Sequence, residues 1–189
     1  METGSLAGFV VFLSQISWVV LAVAALASLY YIAAFGFGLA SLGKTGGGMY
    51  ERPKTPKEVM TSFLGAVLFG GFTTFLSASY ATLYEESAFQ EAPVFSYSPE
   101  EISQSEDAEL TALMLKASFQ LIALVFAYGA IQKLIDAGRN DGSEKGALTS
   151  AITKTLSAVV LWNPAKTASV FNFIPFFDVL SAMLAGSTT

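Results

Sequence analysis

The sequence predicts an all-α integral membrane protein with four transmembrane helices folded as two helical hairpins, plus a short C-terminal interfacial segment. Three observations predict it. Of the 189 residues, 53% are hydrophobic and 13% charged, with a mean hydropathy of +0.55, whereas roughly a quarter of the residues in soluble domains are charged. Apolar runs with little or no charge recur at lengths that cross a hydrocarbon core of about 30 Å. The loops between them alternate in charge: basic, acidic, basic.

The first run, Thr3 to Gly43, carries no charge, and Leu6 to Leu42 reads as one helix of roughly 55 Å. That exceeds the bilayer core. Either the helix projects from the membrane, or its first turns, through Ser14-Gln15, lie in the outer interface with Trp18 as anchor. Ala25-Leu26-Ala27 resembles a signal-cleavage site, but Met1-Glu2 supplies no basic n-region, so retention is expected. The second run, Val59 to Tyr84, is again free of charge. The third, Leu110 to Leu134, holds only Lys116 and Lys133, near its ends where both can snorkel. The fourth starts near Leu148 and reaches Trp162-Asn163-Pro164, and the tail from Phe171 to Ala185 is interrupted by Pro175 and Asp178. The expected organisation is a first hairpin over 1–83 (spans about 6–42 and 59–83), an acidic connector over 84–109, and a second hairpin with an apolar tail over 110–189 (spans about 110–134 and 148–171).

Loop charge sets the orientation, because Lys and Arg in short loops stay in the cytoplasm. Lys44, Arg52, Lys54 and Lys57 follow the first run, and Lys133 at the end of the third is followed by Arg139, Lys145 and Lys154. These residues are expected to serve as topology determinants and to face anionic lipid headgroups. The connector holds Glu85, Glu86, Glu91, Glu100, Glu101, Glu106, Asp107 and Glu109 and no basic residue. Both termini and the connector are therefore expected outside the cytoplasm. Ser98-Pro99-Glu100-Glu101 is a helix start, with Ser at the N-cap, Pro at the first helical position and acids at the positive dipole end. The rest of the connector reads as a solvated link, and the competing reading is a docking surface.

Laying Phe35-Gly36-Phe37-Gly38 over Phe126-Ala127-Tyr128-Gly129 and Lys54 over Lys145 repeats the hydropathy and charge layout of the first half in the second. With both basic loops on one side, this would be a parallel repeat. Ala22, Ala25, Ser28, Gly65, Ala66, Gly70, Gly71, Ser77 and Ala81 would let helices approach closely.

No residue pattern supports catalysis. The chain has no His and no Cys, which removes the usual general base, thiol nucleophiles and the common zinc, haem and iron-sulfur ligands. No cofactor or metal is expected, and the net charge of -5 argues against nucleic acid as a direct partner. Gly38-Leu39-Ala40-Ser41-Leu42-Gly43-Lys44-Thr45 fits the phosphate-loop pattern, but it ends an apolar helix and is followed by Gly46-Gly47-Gly48, with no strand before it or helix after it. Lys166 is the charge expected nearest to membrane depth. It reads as a headgroup-level residue beyond Pro164, and if the helix continues, Asp178 is its candidate intramembrane partner.

Tyr128-Gly129, Ile131 to Leu134, the polar stretch Asp136 to Gly146, Ala147-Leu148-Thr149 and the ending Leu161-Trp162-Asn163-Pro164 resemble the small inner-membrane proteins of type IVB secretion and IncI-type conjugation systems. These are the IcmC/DotE, DotV and IcmD/DotP group and their TraQ and TraP counterparts. The likeness covers Leu110 to Phe176, with the first hairpin similar only by analogy, and in layout the chain also resembles conjugative pilins. The resemblance implies a non-enzymatic membrane or pilus subunit in the bacterial inner membrane that works by helix packing and homo-oligomeric assembly with other secretion subunits, or is built into an extracellular filament. It brings no catalytic residue. The rival classes are a holin-like pore former and a small channel or transporter.

Overall fold

The computed structural model describes residues 3–42, 54–85, 88–89, 92–105, 107–138 and 144–170. Among them every regular element is helical: α1 (Thr3–Leu42), α2 (Pro56–Gly70), α3 (Phe72–Tyr84), the 3-10 turn η1 (Val94–Ser96), α4 (Pro99–Gln104), α5 (Asp107–Gly138), α6 (Glu144–Trp162) and α7 (Pro164–Val170). α1 packs on α2 and α5 on α6, and the two hairpins meet through α1 and α2 against α5.

The four uninterrupted spans expected from sequence become two long helices, one bent pair and one short helix. α1 and α5 are each long and apolar enough to cross a membrane; α2 and α3 would make one broken span, and Gly146–Trp162 is a shorter apolar helix. The second span breaks at Gly71, where α2 and α3 meet at 81°. Two consecutive glycines, Gly70 and Gly71, each disfavour helix by about 1 kcal/mol relative to Ala, and tertiary packing then sets the direction. On α3, Phe72, Leu76 and Tyr80 recur every four residues and are buried with Ala158, Val159 and Trp162 of α6. The Tyr84 hydroxyl also hydrogen-bonds Thr167 of α7 at 3.0 Å. The fourth span breaks at Asn163, because Pro164 has no N–H to continue α6. Asn163 instead starts α7: its Oδ1 accepts from the Lys166 backbone N–H at 3.1 Å.

Capping boxes start α2 and α4. Thr55 Oγ1 accepts from Glu58 N while Glu58 Oε2 accepts from Thr55 N, and Ser98 and Glu101 repeat the exchange. Each box satisfies N–H groups that a helix start leaves without a partner.

Missing side chains let the helices close up, at Gly38 and Gly138 near the end where α1 and α5 finish and α2 begins, and at Gly65 about 14 Å further along α2. A Cβ on Gly38 would stand 2.8 Å from Val59, one on Gly65 2.8 Å from the Tyr31 ring, and one on Gly138 2.8 Å from Thr61. Thr61 Oγ1 also donates to the Gly138 carbonyl at 3.1 Å, tying α2 to the end of α5.

The Gly65→Val protein is expected to lose about 1–3 kcal/mol through overpacking against Tyr31 and Ile135 and to melt at lower temperature in detergent. Gly36→Ala, at a position inside α1 with nothing within 4 Å of a built Cβ, is expected to melt no lower than the parent chain, since Ala favours helix over Gly.

Candidate functional site

Two regions collect the polar chemistry of the chain. One is the connector, which packs on the bundle instead of lying in solvent. Val94 and Ile102 are buried with Val10 and Leu13 of α1 and Leu110 and Leu113 of α5. Polar backbone laid over apolar helices needs partners, and three side chains supply them. Trp162 Nε1 donates to the Ala88 carbonyl at 2.6 Å, Trp18 Nε1 donates to the Phe95 carbonyl at 3.0 Å, and buried Gln120 accepts from Val94 N at 2.8 Å. The Phe95 ring meets both Trp18 and Trp162 edge-on, at 5.8 and 6.2 Å. The connector's apolar residues thus face the helices, and its acids Glu85, Glu100, Glu101 and Glu109 stay exposed. Glu85 caps α3 in the left-handed region at φ 58.

Trp18, Gln120 and Trp162 mark one level of the bundle. From that level to the opposite end, α1 runs about 36 Å to Leu42, and α5 to Gly138 and α6 to Glu144 about 27 Å each. The excess length of α1, 40 residues in all, is thereby explained: the helix is continuous, and its first turns pack against η1, α4 and the start of α5.

The second region is the other end with the seam between α5 and α6. Lys54 precedes α2, exposed Lys57 lies in its first turn, and Lys133 forms an ion pair with Asp136 at 3.0 Å in the last turns of α5. Lys145 falls in the first turn of α6. Lys44, Arg52 and Arg139 lie outside the described residues, as do Asp178 and the expected interfacial tail. Lys154 differs from its expected place near the inner end of a span. α6 begins at Glu144 rather than near Leu148, so Lys154 lies about 15 Å from its start and about 12 Å from its end. Its side chain crosses to α5 beside Gly129, where an added Cβ would stand 3.1 Å from Nζ. An open groove of about 690 Å³ runs along the seam there, lined by Phe126, Gly146, Thr149, Ser150, Thr153 and Lys154. Lys166, by contrast, belongs to α7 beyond the break at Asn163. Among the described residues between the level of Trp18, Gln120 and Trp162 and the opposite end, the charge farthest from both boundaries is therefore Lys154 and not Lys166.

Among the described residues no three acidic side chains gather as a metal site. Gly38 to Leu42 of the phosphate-loop pattern continue α1 as helix, so no strand leads into it, and Gly43 to Thr45 lie outside the described residues. No protein-family model, curated protein or solved structure matches the chain.

Removing the Trp162 indole N–H with Trp162→Phe leaves the buried Ala88 carbonyl unsatisfied and is expected to cost about 1–3 kcal/mol. Trp18→Phe, at a residue 57% exposed, is expected to cost less; thermal unfolding in detergent ranks the two. Hydrogen bonds from the Ser98 backbone N–H, and secondarily its hydroxyl, hold the Glu101 carboxyl below its ordinary value of 4.5. Stabilisation from a depressed carboxyl is complete above that ordinary value and is lost as pH falls through the folded-state value. Amide exchange at Glu101 and Ile102 is therefore expected to speed up on acidification below the ordinary carboxylate range, beyond the intrinsic change, and Glu101→Gln is expected to remove that dependence.

Proposed function

We propose that the chain is a non-enzymatic subunit of a conjugative DNA-transfer or type IV secretion apparatus, seated in the bacterial inner membrane and acting by helix packing and assembly. The observation that carries the membrane part is the match between bundle and bilayer. The stretches between the connector level and the basic end come to about 27–36 Å, close to a hydrocarbon core of about 30 Å. Trp18, 57% exposed, stands at one boundary, where indoles are favoured. The exposed surface of that slab is apolar, with Leu26 65%, Leu29 61% and Phe37 75% exposed.

Charge gives the orientation in this reading. Lys54, Lys57, Lys133 and Lys145 lie at the cytoplasmic end, and the connector with its exposed acids lies outside. α2, at about 22 Å, is too short to span, and α3 turns across the bundle beneath the connector. The secretion assignment rests on the resemblance of Leu110 to Phe176. The packing role is supported by a chain without His or Cys whose polar side chains hold helices and connector together. The competing reading, a holin-like pore former or small channel, draws on the polar seam of α6.

The chain has no native Cys, so single cysteines report topology cleanly. Glu100→Cys in intact cells is expected to react with a membrane-impermeant maleimide, and Lys54→Cys only after lysis; the reverse pattern would invert the orientation. Purification in mild detergent is expected to retain secretion core proteins or a homo-oligomer. A monomer that gives reconstituted vesicles saturable solute uptake would instead establish the transporter reading.

A further inference from the structure

We propose that the α5–α6 groove is a docking site for a transmembrane helix of another protein, one that presents a carboxylate at mid-membrane depth to Lys154. The inference deepens the assembly reading and rests on its membrane placement.

Lys154 carries the argument. It stands near the midpoint of an apolar helix, half-buried against Gly129, and it makes no ion pair or hydrogen bond with any described residue. An ammonium at that depth is costly unless a counter-charge meets it, and intramembrane ionisable groups pair with one another or mark a pathway. The groove beside it is open toward the bilayer in this placement.

The shape of the groove selects the occupant. Gly146, Thr149, Ser150 and Thr153 are small and recur at spacings of three and four on α6, the surface that lets a second helix approach closely and accept or donate hydrogen bonds across the contact. Leu148, Ile152 and Leu156 of α6 and Ile122 and Val125 of α5 are each about half exposed, which provides apolar flanks. A lipid phosphate fits less well, because it belongs at the bilayer surface while Lys154 is about 12–15 Å from either end of α6.

The charge distribution of the chain also narrows the partner. α1, α3 and α6 from Ala147 on hold no acid, and in α2 and α5 acids occur only near the ends, at Glu58, Asp107, Glu109 and Asp136. A second copy thus offers no carboxylate at mid-depth from its described helices, and the docking helix is assigned to a different chain.

The test is binding of designed transmembrane peptides to the full chain in phosphatidylcholine vesicles, read by energy transfer. A Leu-Ala helix with one central Glu is expected to bind on the order of tenfold more tightly than the same helix with Gln. Lys154→Met should abolish that difference and Lys154→Arg should keep it. Gly129→Val, which displaces the ammonium and leaves the charge, should weaken it. Charge reversal gives the decisive arm: Lys154→Glu should prefer a peptide with a central Lys. Vesicle flotation of each variant confirms insertion, so loss of the membrane reading is distinguished from loss of the docking site. Equal binding of Glu and Gln peptides to the inserted parent chain overturns the proposal. So does a preference that appears only in Asp178→Asn, which would make the chain's own tail the occupant, or its loss when phosphatidylglycerol replaces part of the phosphatidylcholine, which would make the occupant a lipid.

Discussion

The indole of Trp162, donating to the Ala88 carbonyl inside the main apolar cluster, fixes the level at which both hairpins end. A connector between two apolar hairpins faces a conflict: its backbone is polar, and the helix ends it must cross are not. It resolves the conflict by turning Val94, Phe95 and Ile102 inward and by placing one donor or acceptor from each of α1, α5 and α6 against its backbone. Three helices from different parts of the chain are thereby held in register. α3 then has a ready surface in the end of α6 and leaves the direction of α2 to reach it.

The helical class, the long first helix, the helix start at Ser98 and the opposite charge of the two ends were legible in the sequence, since each depends on local composition or spacing. Thr55-Pro56-Lys57-Glu58 carries the same start signature as Ser98-Pro99-Glu100-Glu101 and could have been read the same way, which would have moved the start of α2 back to Pro56. The packing of the connector was harder to read. Its eight acids dominate its composition, and the few aromatic and aliphatic residues that decide its placement are spread among them. Only contacts with Trp18, Gln120 and Trp162, distant in sequence, show that these residues act together.

Glycines divided the same way. Gly65 and Gly70 do serve the close approach that small residues suggest, against Tyr31 and Ser28. Gly71 instead ends a helix. The difference lies in the residues just after it: Phe72, Leu76 and Tyr80 find more to bury against α6 than a straight continuation would offer, and no count of residues between charges contains that information. The position of Lys154 was missed for a related reason. Near a basic loop it counts as one more topology residue, and only the helix start at Glu144 shows that nearly three turns separate it from that loop.

The two halves were expected to repeat, and the breaks bear on that idea more directly than residue identities do. Laying Lys54 over Lys145 places Gly71 over Trp162, one residue from the break at Asn163. In each half a long helix is followed by a shorter return helix that breaks and restarts as another piece. The chemical means differ, a glycine pair in one half and Asn-Pro in the other, so sequence comparison registers little of it. The return helices differ in length for a physical reason. α6 covers the distance back to the level of Trp162 with 19 residues, whereas α2 stops at 15, with Gly70 against Ser28 about 15 Å short of Trp18 on α1, and α3 then leaves at Gly71 to bury Phe72, Leu76 and Tyr80 with α6.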